Sequence, residues 1–85
     1  MTYRVELHRE ARKELAALPD DPRRRVAVAI DSLAEQPRPT GTKKMQGRAQ
    51  WRICIVSYRV IYSVFDKEQL VIVELITRRV THTYD

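Results

Sequence analysis

Arg52 and Arg59 stand in one uninterrupted stretch, WRICIVSYRVIYSVF from Trp51 to Phe65, with Cys54 between them. Lys43 and Lys44 precede it, and Arg78, Arg79, His82 and Tyr84 follow close to the chain end. A cluster of Arg and Lys with a terminal His and a terminal Tyr suits cleavage of RNA without a metal. In that reaction the ribose 2′-OH attacks its own 3′-phosphate. A proton must be removed, a doubly charged phosphorane neutralised and the departing 5′-oxygen protonated. Arginine forks stabilise such a phosphorane, and tyrosine can stack on a base, orient it or pass a proton. The same cations could instead meet an acidic protein partner or form a plain solvated surface. Residue types alone leave these readings open.

Other chemistries have less support. Cys54, His8 and His82 are isolated, with no ligand spacing such as CxxC or HExxH, so no metal is expected. The only glycines are Gly41 and Gly47, too few for a phosphate-cradling loop or a dinucleotide fingerprint, and no cofactor is expected. A hydrolase elbow of the GxSxG kind is absent.

The charge is unevenly placed. Residues 1 to 37 hold seven basic and seven acidic side chains, whereas residues 38 to 85 hold nine basic and four acidic, which accounts for the whole net charge of +5. A basic second half points to a polyanion or an acidic partner. With 85 residues the chain makes one domain with a thin core. A single Cys excludes an intramolecular disulfide and suits a reducing cytoplasm. No signal-like or membrane-length apolar run occurs, which predicts a soluble cytoplasmic protein.

The elements that must position the cations can be read from periodicity. Tyr3 to Leu7 alternates as a half-buried strand. From Arg9 to Leu18 the spacing becomes helical, with Ala11, Leu15 and Leu18 on one face, and Pro19 ends it. Asp20 or Asp21 is the expected N-cap of a second helix to Gln36, with Pro22 in its first turn and Val26, Ile30 and Leu33 inward. Pro37 and Pro39 stop it, and Arg38 to Gln50 reads as an irregular basic loop. Trp51 to Val56 and Tyr58 to Phe65 read as a tight hairpin with one apolar face and one face where arginines can stand side by side. After the polar turn Asp66 to Gln69, Leu70 to Ile76 is apolar enough for a central strand covered on both faces. The order β-α-α-β-β-β predicts an antiparallel α+β sheet with an N-terminal helical hairpin on one face.

With that order in view, the chain resembles the RelE/ParE superfamily of type II toxin-antitoxin toxins over essentially residues 3 to 84. The resemblance is carried by the opening YRVELHREARKELAALP, the K-x-x-G step from Lys44 to Gly47, the hairpin W-R-I-x-I-x-x-Y-R-V-I-Y from Trp51 to Tyr62, and the apolar strand running into Arg79. It implies a toxin neutralised by an antitoxin encoded beside it. The RelE branch cleaves mRNA in the ribosomal A site, and the ParE branch poisons DNA gyrase. The RelE branch is favoured here, with a catalytically weak antitoxin-binding module as a further alternative.

By this resemblance Arg52 lies near the scissile phosphate, Arg59 stabilises the transition state, Arg79 contacts phosphate or donates a proton, and Tyr84 stacks on the base. Lys43, Lys44, Arg48 and Arg78 are expected along the RNA backbone. Cys54 departs from the family pattern, standing where many relatives carry a second Lys or Arg that can act as general base. That leaves the Cys54 thiolate, Lys44 or His82 as proton acceptor, the last with an unperturbed pKa of about 6.5, or an incomplete cationic pair with no base at all. The implied antitoxin segment is acidic and amphipathic, and DNA is met only through the antitoxin complex.

Overall fold

The computed structural model describes residues 2–45 and 50–78. Strand β1 (Arg4–Leu7) leads into helix α1 (Arg9–Ala16) through His8, whose Nδ1 accepts the Glu10 N–H at 3.4 Å and caps the first turn. Helix α2 (Asp20–Ser32) starts differently from the expectation. Pro19 is its N-cap and makes no side-chain cap bond, while Asp20 and Asp21 lie inside the first turn. Carboxylates there complement the helix dipole without capping, and they also pair with Arg23 at 2.6 Å and Arg25 at 3.1 Å. The helix ends at Ser32, short of Gln36, where the Ser32 hydroxyl donates back to the Ala29 carbonyl at 2.7 Å.

The remaining strands are β2 (Lys43–Lys44), β3 (Gln50–Ile55), β4 (Tyr58–Phe65) and β5 (Leu70–Arg78), and the sheet order is β1-β5-β4-β3-β2. The sheet is mixed, which corrects the antiparallel expectation: β1 runs parallel to β5 while the other pairs are antiparallel. Tight turns force alternation on β3, β4 and β5, but no tight turn joins β1 to β5. The helices carry the chain away from β1 and bring it back to its start, where the Tyr3 N–H donates to Ala34 O at 2.7 Å. The segment expected to be loop also yields a strand, because Lys43 and Lys44 pair with Arg52 and Trp51. A two-residue lysine strand is a common way to end a sheet.

One face of the sheet holds the core. Ala11, Val26, Ile30 and Leu33 from the helical segment meet Val60, Tyr62, Val71, Val73 and Ile76 from β4 and β5. A β-bulge makes this possible, since Ile61 pairs with Leu75 but Tyr62 with Val73, leaving Glu74 as an extra residue. Val73 and Ile76, three positions apart, thus both reach the core. Beyond the end of β1 the Ile76 N–H would be bare, and Glu14 Oε1 on α1 accepts it at 2.7 Å. The expectation that β5 is covered on both faces does not hold, because Leu70, Ile72 and Leu75 stay half-buried on the helix-free face. Among the described residues no helix is long and apolar enough to cross a membrane.

Candidate functional site

The arginines stand on the helix-free face because of the β2-β3-β4 register. Ile55 pairs with Tyr58, so Val56 and Ser57 alone make the turn, and Val56 takes φ 56. That left-handed conformation costs a β-branched residue about 1–3 kcal/mol and is what a two-residue hairpin demands. It sets Cys54 directly opposite Arg59 and Arg52 opposite Ile61, while β2 sets Lys43 opposite Arg52 on the other side. Residues paired in this way project from the same face. Together with Gly41 they line a cavity of about 250 Å³ whose members are Gly41, Lys43, Arg52, Cys54 and Arg59.

The electrostatics of this cavity are one-sided. None of Lys43, Arg52 and Arg59 forms an ion pair with another described residue. Arg59 Nε is moreover buried with no hydrogen-bond partner among the described residues. A buried, unsatisfied charged donor is costly unless a ligand meets it. The arrangement therefore suits a small anion with several oxygens, which guanidinium forks match geometrically.

The loop that forms the cavity lip is fastened from beneath. Tyr62, fully buried in β4, donates its hydroxyl to Pro37 O at 2.7 Å and meets Thr42 Oγ1 at 3.4 Å, holding both ends of the segment. Burial pushes the Tyr62 hydroxyl above its ordinary value, with the Thr42 hydrogen bond and Arg38 opposing, so it stays a donor. Between these ends Gly41 adopts φ +95, and a Cβ there would meet nothing within 4 Å. Its backbone conformation requires glycine; space does not.

Arg38 completes the fastening. Its Nη2 donates to Asp66 Oδ1 at 2.9 Å, its guanidinium lies 5.5 Å over the Trp51 ring, and Tyr3 donates to the same Asp66 oxygen at 2.6 Å. The Tyr3 hydrogen bond and then Arg38 hold the Asp66 carboxyl below its ordinary 3.8, and the Asp66 hydrogen bond raises Tyr3 above 10.0. A depressed carboxyl contributes stability above its unfolded pKa and loses it as pH falls through the folded one. A raised phenol contributes below its unfolded pKa and loses it as pH rises through the folded one. Asp66→Asn should thus lower the urea midpoint slightly at neutral pH and converge with the parent chain in acid below 3.8. Parallel curves over the whole acid range would show that the carboxylate adds nothing.

Not every expected site residue is brought together. Lys43, Arg52, Cys54 and Arg59 converge. Lys44 pairs with Trp51 and Arg78 with Tyr58, which places both in the opposite strand phase, outside the cavity lining. Arg48, Gly47, Arg79, His82 and Tyr84 lie outside the described residues. Two features escaped the sequence reading. Gly41 lines the cavity, signalled only by its loop composition. Glu74, the lone acid in LVIVELI, accepts from Ser63 Oγ at 2.6 Å and from Gln50 Nε2, forming a polar patch beside the cavity. Among the described residues no three His, Cys, Asp or Glu side chains gather to hold a metal.

A family model described as the ParE toxin of the type II toxin-antitoxin system ParDE matches residues 5–81. The chain belongs to the RelE/ParE superfamily. This RelE/ParE chain is 32% identical to a chain of the archaeal RelE-RelB complex from Pyrococcus horikoshii OT3, covering 96% of itself and 100% of that chain at a TM-score of 0.86. It shares its fold with isolated E. coli RelE, at 21% identity, 96% and 89% coverage and a TM-score of 0.83. The RelBE2 toxin-antitoxin complex of Mycobacterium tuberculosis matches at 20% identity, 93% and 100% coverage and a TM-score of 0.75. No curated protein matches the sequence. Membership makes the RelE/ParE chain a toxin of the type II toxin-antitoxin class.

Proposed function

We propose that this toxin is a ribosome-dependent mRNA endoribonuclease, cutting in the A site by metal-free 2′-OH attack and so inhibiting translation in the cytoplasm. The observation that carries the reading is the cavity of about 250 Å³ lined by Lys43, Arg52 and Arg59, with a buried donor that lacks a partner among the described residues. Similarity to RelE at 32% identity supports it. Arg59 and Arg52 neutralise the phosphorane, and Lys43 holds the flanking phosphate. Arg79 serves the phosphate or the leaving group, Tyr84 stacks on the base, and Lys44, Arg48 and Arg78 follow the backbone. The proton acceptor is His82 or the Cys54 thiolate, since Lys44 stands in the opposite strand phase, and losing one such group costs about 10²- to 10⁴-fold in rate.

The partner is an antitoxin, as in the RelE-RelB complexes this chain is similar to. An acidic amphipathic segment would set carboxylates against Arg52 and Arg59 and compete with RNA.

The test is cleavage of mRNA on programmed ribosomes by the purified chain, with 5′ ends mapped and 2′,3′-cyclic phosphate sought. Cuts confined to A-site codons are expected. Intact mRNA with a folded chain overturns the nuclease reading. The match to the ParE family model then favours gyrase inhibition, seen as DNA damage with mRNA spared.

A further inference from the structure

We propose that the main-chain N–H at position 54 is a phosphate donor, left open at the cleft because Gly41 turns the chain away from the sheet before it can pair with β3. The inference rests on the reading of the cleft as a phosphate site and adds a binding group that no side chain supplies. It follows from the register. Met45 N–H donates to Gln50 O at 2.8 Å and Lys43 pairs with Arg52, so Gln50, Arg52 and Cys54 aim their backbone N–H and C=O at the β2 side. Ile53 and Ile55 aim theirs at β4, as a two-residue hairpin closed by Ile55 and Tyr58 requires. Continued by one step, the β2-β3 ladder would set Gly41 against Cys54.

That step is not taken. Gly41 adopts φ +95 in a turn closed by Thr42 N–H on Pro39 O at 3.1 Å, and among the described residues no backbone hydrogen bond joins it to Cys54. The cavity lies at this break in the ladder, since Gly41 and Cys54 both line it. Backbone donors within a sheet are normally paired, so one left open beside a cavity is available to a ligand. The neighbouring cations draw a phosphate in, whereas a strand N–H held by the ladder gives one phosphate oxygen a donor of fixed direction. The Cys54 carbonyl on the same edge is an acceptor, which a ribose hydroxyl can meet while the N–H meets the phosphate.

The chain has a single Cys, so isotopic labelling of cysteine gives one backbone amide signal in the magnetic resonance spectrum. Titrating the full chain with inorganic phosphate should move that proton downfield to saturation, as donation to an anion does. Sodium chloride at equal ionic strength should leave it in place. Nonsense suppression with lactic acid at position 54 makes an ester that lacks only the N–H of Cys54→Ala. Comparing those two chains cancels any part played by the thiol. The ester should bind phosphate at least about tenfold more weakly than Cys54→Ala and cleave mRNA about 10²- to 10³-fold more slowly. Its urea midpoint should match that of Cys54→Ala, because this N–H has no partner to lose among the described residues. Gly41→Asn, which tolerates a left-handed backbone, should keep more of the phosphate response than Gly41→Ala. An amide signal that phosphate does not move, or an ester that binds phosphate as tightly as Cys54→Ala, overturns the proposal. Intact mRNA beside a phosphate-responsive Cys54 amide upholds the donor and overturns only the nuclease reading.

Discussion

Replacing Arg59 with alanine should lower A-site cleavage by about 10²- to 10³-fold, the usual effect of deleting one preorganised donor from a site where charge develops. Arg59 is anchored in the middle strand of the β3-β4-β5 run, between Cys54 on one side and Thr77 on the other. Its position is thus better determined than that of Lys43 on the two-residue edge strand. Its Nε has no partner to lose, so truncation creates no new unsatisfied group among the described residues. The variant should keep its urea midpoint, or gain slightly from removal of a desolvated donor. Arg59→Lys should recover little of the rate, because an ammonium cannot present the planar fork. Single-turnover cleavage beside urea denaturation separates the two effects. Undiminished cleavage by a folded Arg59→Ala chain removes Arg59 from the mechanism.

The largest structural loss is expected at Tyr62. Its side chain is wholly buried among Val60, Val71, Val73 and the helical residues, and truncation to alanine should cost about 3–5 kcal/mol. Small domains have only about 5–15 kcal/mol to lose, so a chain of this size stands close to unfolding as Tyr62→Ala. Tyr62→Phe is the informative variant, because it keeps the ring and deletes only the hydroxyl that reaches Pro37 and Thr42. Leaving the half-buried Pro37 carbonyl without that donor should cost about 1–3 kcal/mol. The cleft lip should loosen as well, since the same hydroxyl spans both ends of the segment bearing Gly41. Urea titration measures the first effect and mRNA affinity the second. A Tyr62→Phe chain as stable as its parent would mean that water replaces the phenol.

Period-two alternation carried most of the legible structure. It puts Arg52, Cys54 and Arg59 on one face, and the ladder shows the same phase. The helical spacing likewise puts Ala11, Val26, Ile30 and Leu33 in the core, whereas Leu15 and Leu18, expected on the same inward face, are only half-buried against it. What periodicity could not carry is direction and pairing over long separations. Nothing in Tyr3 to Leu7 states that its partner is Leu70 to Val73, or that the pair is parallel. The bulge at Glu74 was hidden in an apolar run, where one extra residue leaves no trace in composition. The Lys43–Lys44 strand was masked by loop residues around it, since edge pairing uses backbone atoms rather than side-chain pattern. Of the expected site, Arg48, Arg79, His82 and Tyr84 fall outside the described residues, and the site that can be described is the half built by the sheet.

The parallel pairing of β1 with β5 has a consequence for synthesis. Strand β1 must wait for β5, because among the described residues its only ladder is with Leu70 to Val73. The helices and the β3-β4 hairpin can form from local contacts, but Val71, Val73 and Ile76 complete the core from β5. Closing so long a loop is the slow step in chains whose contacts are far apart in sequence. A nascent chain therefore completes its arginine hairpin at Phe65 before it has the strand, Leu70–Arg78, that holds it in place. The complete core is acquired only once β5 has left the ribosome.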